Sequence, residues 1–365
     1  MSTAKKLTSN LLSQLLEEKP LIISGPCSAE TEEQVLETAR QLKAANVSVL
    51  RAGIWKPRTR PGTFEGIGEV GLEWMVKARE ETGLPIATEV ANRAHVEIAL
   101  KYGVDILWIG ARTTVSPFAV QEIADALEGH DIPVLVKNPI NPDIDLWMGA
   151  IERIKTAGIS EVGAIHRGFS NLEKTAYRNH PIWEIPIELK KRLPELPIIC
   201  DPSHICGNRH LIKLVSEQAL ELGMEGLMIE SHIDPDNAWS DAKQQIVPKR
   251  VEQILTDILH KDEEGEQLVD GKSLKDYRDK INELDKKILA ILAERMKVSD
   301  QIGRYKKLNR MPIVQKVRWD EVLHTRVALG VENGLDETFV NEFYTLLHQE
   351  SQRKQQEVRI DQDDE

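Results

Sequence analysis

The stretch Arg51-Ala-Gly-Ile-Trp-Lys-Pro-Arg-Thr59 sets three cations, Arg51, Lys56 and Arg58, close together in the chain. Pro57 disfavours helix at Lys56 and fixes its own φ, so Lys56 to Thr59 is expected as a stiff extended loop. Alone, such a cluster has a plain alternative, a solvated basic loop. Further cations, Arg112, Lys137 and Arg167, each follow a short apolar run. Guanidinium forks match phosphate and carboxylate oxygens in pairs, and an ammonium acts as a point charge. Gathered at one mouth, these charges repel unless an anion sits among them. A small molecule carrying both phosphate and carboxylate, such as a phosphorylated enol acid, would satisfy them. A second group is Cys27, His204, Glu230 and Asp241. One thiolate, one imidazole and two carboxylates suit one divalent transition metal with open positions, a set that admits Mn2+, Fe2+, Co2+ or Zn2+. These four are scattered along the chain, so only a fold that gathers them makes the case. Otherwise Cys27 is a small buried hydrophobe and His204 a hydrogen-bonded loop residue. His166 and His232 are read as structural or supporting.

The positioning elements follow from periodicity. Short apolar runs at 21–23, 47–50, 85–88, 106–109, 133–136, 162–165, 197–200 and 226–229 alternate with amphipathic stretches at 30–45, 68–82, 93–102, 117–128, 145–157, 184–193, 208–222 and 239–259. Continuous rather than alternating apolar runs mean strands buried on both faces, hence a parallel sheet. Eight strand–helix units predict a closed (β/α)8 barrel, with a doubly wound open sheet as the alternative. In such a barrel the site lies at the C-terminal strand ends. There stand Gly25-Pro-Cys-Ser28, Arg51, Glu89, Gly110-Ala-Arg112, Lys137-Asn-Pro139, His166-Arg-Gly168, Asp201-Pro-Ser-His204 and Glu230-Ser-His232. Every strand end bears chemistry, which favours a catalytic reading.

Composition bounds the rest. A chain of 365 residues is long for one core and predicts one large and one small domain. A net charge of −12 gives no reason to expect nucleic acid or anionic membrane as a partner. Three cysteines suit a reducing compartment. The N-terminus lacks the apolar run of a signal peptide, and no segment reaches a membrane span. A cytoplasmic protein is expected.

The motifs Gly25-Pro-Cys-Ser28, Arg51…Lys56-Pro-Arg-Thr59, Ile109-Gly-Ala-Arg112, Val136-Lys-Asn138, His166-Arg-Gly168, Asp201-Pro-Ser-His204 and Ser240-Asp-Ala-Lys-Gln244 together resemble 3-deoxy-D-arabino-heptulosonate 7-phosphate (DAHP) synthases, type I beta. The resemblance covers 20–260. Related 3-deoxy-manno-octulosonate 8-phosphate synthases carry a different run where this chain has Lys56-Pro-Arg-Thr59, which favours erythrose 4-phosphate as the aldehyde. The resemblance implies that Arg112, Arg167 and Lys137 hold the phosphate of phosphoenolpyruvate, with Ala111 beside them. Arg51, Lys56 and Lys137 would meet its carboxylate, and Arg58 and Thr59 the second substrate. It implies a metal on Cys27, His204, Glu230 and Asp241, with Lys56 as proton donor and Glu89 as a water-positioning group. A metal-free Schiff-base aldolase using Lys56 or Lys137 is the mechanistic rival.

Residues 1–19 are expected to hold one short helix (5–19), and 261–271, rich in acid and glycine, a linker. Beyond it the pattern becomes all helix. Leu274, Tyr277, Ile281, Leu284, Ile288, Ile291, Arg295, Val298, Ile302 and Tyr305 trace a narrow apolar seam along one long helix that wants a partner. An arginine within such a seam is costly unless an anion meets it. Pro312 is expected to open a second helix ending near Gly330, with a third at 336–356 and a disordered tail at 357–365. This three-helix region, 272–356, resembles all-helical chorismate mutases through Leu274…Arg278-Asp-Lys-Ile-Asn-Glu-Leu-Asp285…Leu292-Ala-Glu-Arg295…Ile302-Gly-Arg-Tyr-Lys306, with Arg318 and Ser351…Gln355. The resemblance implies that Arg278 and Arg295 bind carboxylates of chorismate, that Arg318 supports them, and that Lys306 and Gln355 contact the ether oxygen. Ser351 would bind substrate. It also implies a homodimer with Arg278 supplied by the other protomer. Gln315 and Trp319 stand where that family has acidic residues. The expectation is a bifunctional enzyme of aromatic amino-acid biosynthesis, with feedback by prephenate or chorismate. A helical domain that senses or dimerises, with little turnover, is the alternative.

Overall fold

A computed structural model describes residues 10–17, 20–56, 62–171, 175–260 and 274–360. Arg58 and Thr59, the linker 261–271 and the tail beyond 360 therefore lie outside the described residues. The chain divides into two compact units at residues 264 and 265.

In the first unit, eight described strands close into a parallel barrel. They are β1 Leu21–Gly25, β2 Val49–Arg51, β3 Ile86–Val90, β4 Ile106–Ile109, β5 Val134–Lys137, β6 Val162–His166, β7 Ile198–Cys200 and β8 Gly226–Glu230. β1 pairs with both β2 and β8, so the sheet has no free edge. The open-sheet alternative is excluded. Alternate strand positions sort into two cores. Ile23, Val49, Ala87, Ile106, Trp108, Leu135, Ile165, Ile199 and Met228 fill the barrel interior. Their neighbours Leu50, Leu107, Val136, Ala164 and Leu227 pack outward against the helices. Each fully buried apolar side chain of this size contributes about 1.5–3 kcal/mol.

The first described helix, Leu11–Glu17, sits at the N-terminal end of the barrel. Leu11 and Leu12 join the interior core. The Glu161 carboxylate, just before β6, accepts from the Leu12 and Ser13 amides at 3.1 and 2.8 Å, satisfying two first-turn donors of this helix.

The expected helix at 239–259 begins instead at Pro248 and runs to His260. Residues before it form two short 3-10 turns, Pro235–Asn237 and Ala242–Gln244. Two causes are visible. Asp241 has φ +46°, outside the right-handed helical region, and proline is well suited to a first helical position. The expected helix at 208–222 likewise starts later, at Ile212, because Pro202–Cys206 forms its own short helix ended by Gly207 at φ +64°.

The second unit holds three described helices, Leu274–Leu308, Lys316–Glu332 and Glu337–Ile360. The second starts four residues later than Pro312 suggested. Gln315 is extended, and the Ile313 carbonyl accepts from Lys306 Nζ at 2.7 Å rather than from a helical amide. The third runs to Ile360, so residues 357–360 are helical rather than part of a tail. Where the first and third helices meet, Gly303 lets them approach: a Cβ there would stand 3.0 Å from Gln355 Cα. Among the described residues, no helix is long and apolar enough to cross a membrane.

Candidate active sites

Strand parity decides which side chains reach the barrel mouth. Arg51, Glu89, Lys137, Arg167, Asp201 and Glu230 each lie two residues beyond an inward apolar position and so continue the interior row. His166 has the opposite parity. It is buried against the rings of Trp147, Phe169 and Trp183, at centroid distances of 6.4, 5.7 and 5.3 Å. Burial first, with the Arg167 charge beside it, lowers its pKa to about 3, so it is neutral and structural.

Trp108 forms the floor of the site, a role that sequence reasoning missed. The Arg51 guanidinium lies 4.8 Å above its ring and Lys137 Nζ 5.9 Å away, a cation–π arrangement. Its indole N–H donates to Glu89 Oε2 at 3.0 Å. Arg51 is 1% exposed. Its Nη2 donates to the Cys27 carbonyl at 3.2 Å, and its Nη1 lies 3.4 Å from Glu230 Oε1. Nε and Nη1 make no hydrogen bond among the described residues. Buried guanidinium N–H groups left so call for an anionic ligand. β1 ends at Gly25 because φ is +152° there and an added Cβ would fall 2.0 Å from the Arg51 carbonyl oxygen.

Lys137 Nζ donates to Asp201 Oδ2 at 2.7 Å, both groups being buried. Burial works to raise the Asp201 pKa, but His204 and Lys137 outweigh it and hold the carboxyl well below the usual range. Asn138 accepts from the Arg167 amide at 2.7 Å and donates to the Gly168 carbonyl, fixing the turn that carries Arg167. Arg167 is nearly buried, and desolvation lowers its pKa to about 10, with Arg178 and Arg112 adding to the effect. Arg112 is exposed, on the short helix Ala111–Thr114, and Ala111 is buried at the same strand end.

Cys27, Glu230 and Asp241 place their donor atoms within 4.8 Å of one another. His204 stands at the edge of this trio, its Nε2 3.9 Å from Glu230 Oε1 and its Nδ1 2.8 Å from Asp201 Oδ2. A carboxylate behind the imidazole is the usual support of a metal-binding histidine. Burial lowers the His204 pKa, which favours the neutral ring that a ligand must present. Glu230 Oε1 is buried and accepts no hydrogen bond, an orphaned acceptor that an ion would satisfy. The Cys27 thiol is pushed up to about 12 by burial and by Glu230. Lys56 Nζ donates to its Sγ at 2.9 Å. The four residues thus fit a divalent ion. Arg178 and Gln244 lie against this cluster; Gln244 ends the Ser240–Gln244 motif but had no expected role, and Arg178 was not anticipated from the sequence. His232 supports the same loop, its Nε2 lying 3.3 Å from Glu30 Oε2 while Nδ1 accepts from the Asp234 amide.

In the helical unit, Arg295 Nη1 donates to Ser351 Oγ at 2.7 Å. Lys306 Nζ donates to Gln355 Oε1 at 3.3 Å. These four candidates come together between the first and third helices. Arg278 does not join them within one chain: seventeen residues of helix place it about 25 Å from Arg295. Arg318 is exposed and pairs with Glu321 at 3.0 Å. From the second helix Trp319 instead stacks on His348 of the third, centroids 3.9 Å apart.

Comparison with known proteins matches both units. A family model described as the DAHP synthetase I family covers residues 16–267, and one described as chorismate mutase type II covers 277–356. A phospho-2-dehydro-3-deoxyheptonate aldolase of Thermotoga maritima is 36% identical over 225 residues, which is 62% of this chain and 64% of that protein. A 2-dehydro-3-deoxyphosphooctonate aldolase of Caulobacter vibrioides is 28% identical over 265 residues, 67% of this chain and 88% of that one. The crystal structure of the Thermotoga maritima DAHP synthase aligns with a TM-score of 0.59 at 32% identity, over 66% of this chain and 69% of that one. The chain belongs to the DAHP synthetase I family and carries a chorismate mutase type II domain at its C-terminal end.

Proposed function

We propose that the barrel condenses phosphoenolpyruvate with erythrose 4-phosphate to give DAHP and phosphate, and that the helical unit converts chorismate to prephenate. The observation that carries the first half is the pairing of a buried, incompletely bonded Arg51 with a thiol–imidazole–carboxylate cluster one contact away. Arg51 and Lys137, deep in the barrel, are suited to the carboxylate of the enol acid. Arg167 and Arg112 are suited to its phosphate. Lys56 is placed to bind the carboxylate and to give a proton to the alkoxide that forms when carbon 3 attacks the aldehyde. Glu89, held by Trp108, is placed to orient the water that adds at carbon 2, after which the adduct expels phosphate. Arg58 and Thr59 are assigned the aldehyde's phosphate from the sequence alone. A divalent ion, Mn2+ by preference, held by Cys27, His204, Glu230 and Asp241 would supply Lewis-acid polarisation of the aldehyde oxygen.

The decisive assay gives purified protein phosphoenolpyruvate with erythrose 4-phosphate, or with the five-carbon arabinose 5-phosphate, before and after exhaustive chelation. DAHP formation is expected with the four-carbon aldehyde only, to fall at least about a hundredfold without metal, and to return with Mn2+. Full activity after chelation would support the Schiff-base rival. Preference for the five-carbon aldehyde would shift the assignment to the octulosonate reaction.

Chorismate rearrangement needs no nucleophile, only a cage that holds one conformer and meets charge developing on the ether oxygen. Arg295, Ser351, Lys306 and Gln355 are arranged for this. We further propose a homodimer through the long helix. Ile281, Leu284, Ile288 and Ile291 are 45–65% exposed, a stripe that water penalises and a second copy would cover. Such pairing would also bring Arg278 of one protomer to the cage of another. Sedimentation of the full chain is expected to give a dimer or a multiple of it; a monomer at micromolar concentration would overturn this arrangement. Measurable prephenate formation distinguishes the mutase from a purely sensory domain.

A further inference from the structure

We propose that Arg178 and Gln244 are positioning residues that set the ligand cluster of the barrel before any ion arrives. This deepens the metal-dependent reading above and rests on it. Two carboxylates and a sulfur crowded within 4.8 Å do not stay so unaided, because the carboxylates repel. One nitrogen of Arg178, Nη1, donates to Asp241 Oδ1 at 3.0 Å and to Gln244 Oε1 at 2.7 Å. With its oxygen so engaged, the Gln244 amide can turn only its Nε2 toward Glu230, and it donates to Oε2 at 2.7 Å. The chain of bonds therefore occupies one oxygen of each carboxylate. The other oxygen of each stays turned to the shared point: Asp241 Oδ2 accepts from the Cys27 thiol, itself a proposed ligand, at 3.3 Å, and Glu230 Oε1 accepts no hydrogen bond.

The same segment also reaches the fourth ligand. The Arg178 amide donates to the Ile205 carbonyl at 3.0 Å, and Asn179 Nδ2 donates to the His204 carbonyl at 2.6 Å. Gly207 makes room for this contact, since a Cβ there would sit 2.4 Å from Arg178 Cβ. Asp241 is held at φ +46°, a conformation the side-chain bonds must maintain. The loop after β6 thus braces Glu230 and Asp241 through side chains and His204 through the backbone.

The test is Mn2+ titration of the chelator-stripped full chain, with free ion followed by electron paramagnetic resonance. Arg178→Gln is expected to weaken binding by about 10- to 100-fold, as loss of an outer partner typically does. Gln244→Leu should do likewise, and the double variant should be little weaker than the worse single one, because both cut one chain of bonds. A mere counter-charge gives the opposite sign: removing a cation beside two carboxylates would tighten binding of a divalent ion. Unchanged or tighter binding in Arg178→Gln therefore overturns the proposal, as does full additivity. Should Arg178→Gln fail to fold, judged by thermal unfolding of the stripped protein, Gln244→Leu carries the same test. No binding by the unaltered chain would overturn the metal-dependent reading, and this proposal with it.

Discussion

Arg51→Met is expected to lower DAHP formation by about a thousandfold or more and to destabilise the barrel by about 3 kcal/mol. The two effects have one origin. Arg51 is a buried cation whose Nη1 faces the equally buried Glu230 at 3.4 Å, over the face of Trp108. Methionine fills much of the volume but leaves Glu230 without that neighbour, and breaking a buried pair costs more than the pair is worth against an apolar replacement. In the reaction, the same guanidinium presents N–H groups that no described residue satisfies, so its loss removes contacts meant for substrate. Steady-state turnover read by phosphate release, and chemical denaturation, check the two halves. Turnover within tenfold of the unaltered chain would remove Arg51 from the anion site.

Arg295→Ala should abolish prephenate formation, by about a thousandfold or more, while leaving DAHP formation in place. The guanidinium is fixed by Ser351 Oγ at 2.7 Å, so its orientation costs nothing at the moment of reaction. A pericyclic step has no covalent partner in the protein. Electrostatic preorganisation then carries nearly the whole acceleration, and few other residues can compensate. Ser351→Ala should cost less, since it frees the arginine without deleting the charge. Chorismate disappearance read by absorbance decides the matter. A rate unchanged in Arg295→Ala would place the mutase site elsewhere.

The barrel was legible because its strands are continuous apolar runs. Ile106-Leu-Trp-Ile109 is buried at every position, and no helical surface would tolerate that. The strand-end residues were legible for the same reason, since chemistry bounded by apolar runs marks its own place. Which of them face the mouth follows from the same pattern: two-residue parity from Leu135 on β5 and Ile165 on β6 sets Lys137 and Arg167 apart from His166. Other features could not be read. Arg178 sits in a polar loop with no periodicity, and its value lies in reaching Asp241, 63 residues away in sequence. The turn at 239–247 reads as helix because its composition is ordinary; only tertiary bonds hold Asp241 at positive φ. In the helical unit the seam of Leu274 to Tyr305 was plain. That its first half finds no cover among the described residues of the helical unit followed only from the exposure of Ile281 to Ile291.

The short helix Leu11–Glu17 stoppers one end of the barrel, with Leu11 and Leu12 in its interior and Glu161 clasping its amides. A cup has one door. Whatever reacts above Trp108 must arrive and leave past the same rim, and the deepest guest must be seated first. Arg51 and Lys137 lie at that depth, 1% and 4% exposed, whereas Lys56 stands nearer the rim. For the reaction proposed above, traffic through the barrel would be sequential by shape: the enol acid would enter before the aldehyde, and the long sugar acid, spanning both depths, would have to clear the rim before the floor could be filled again.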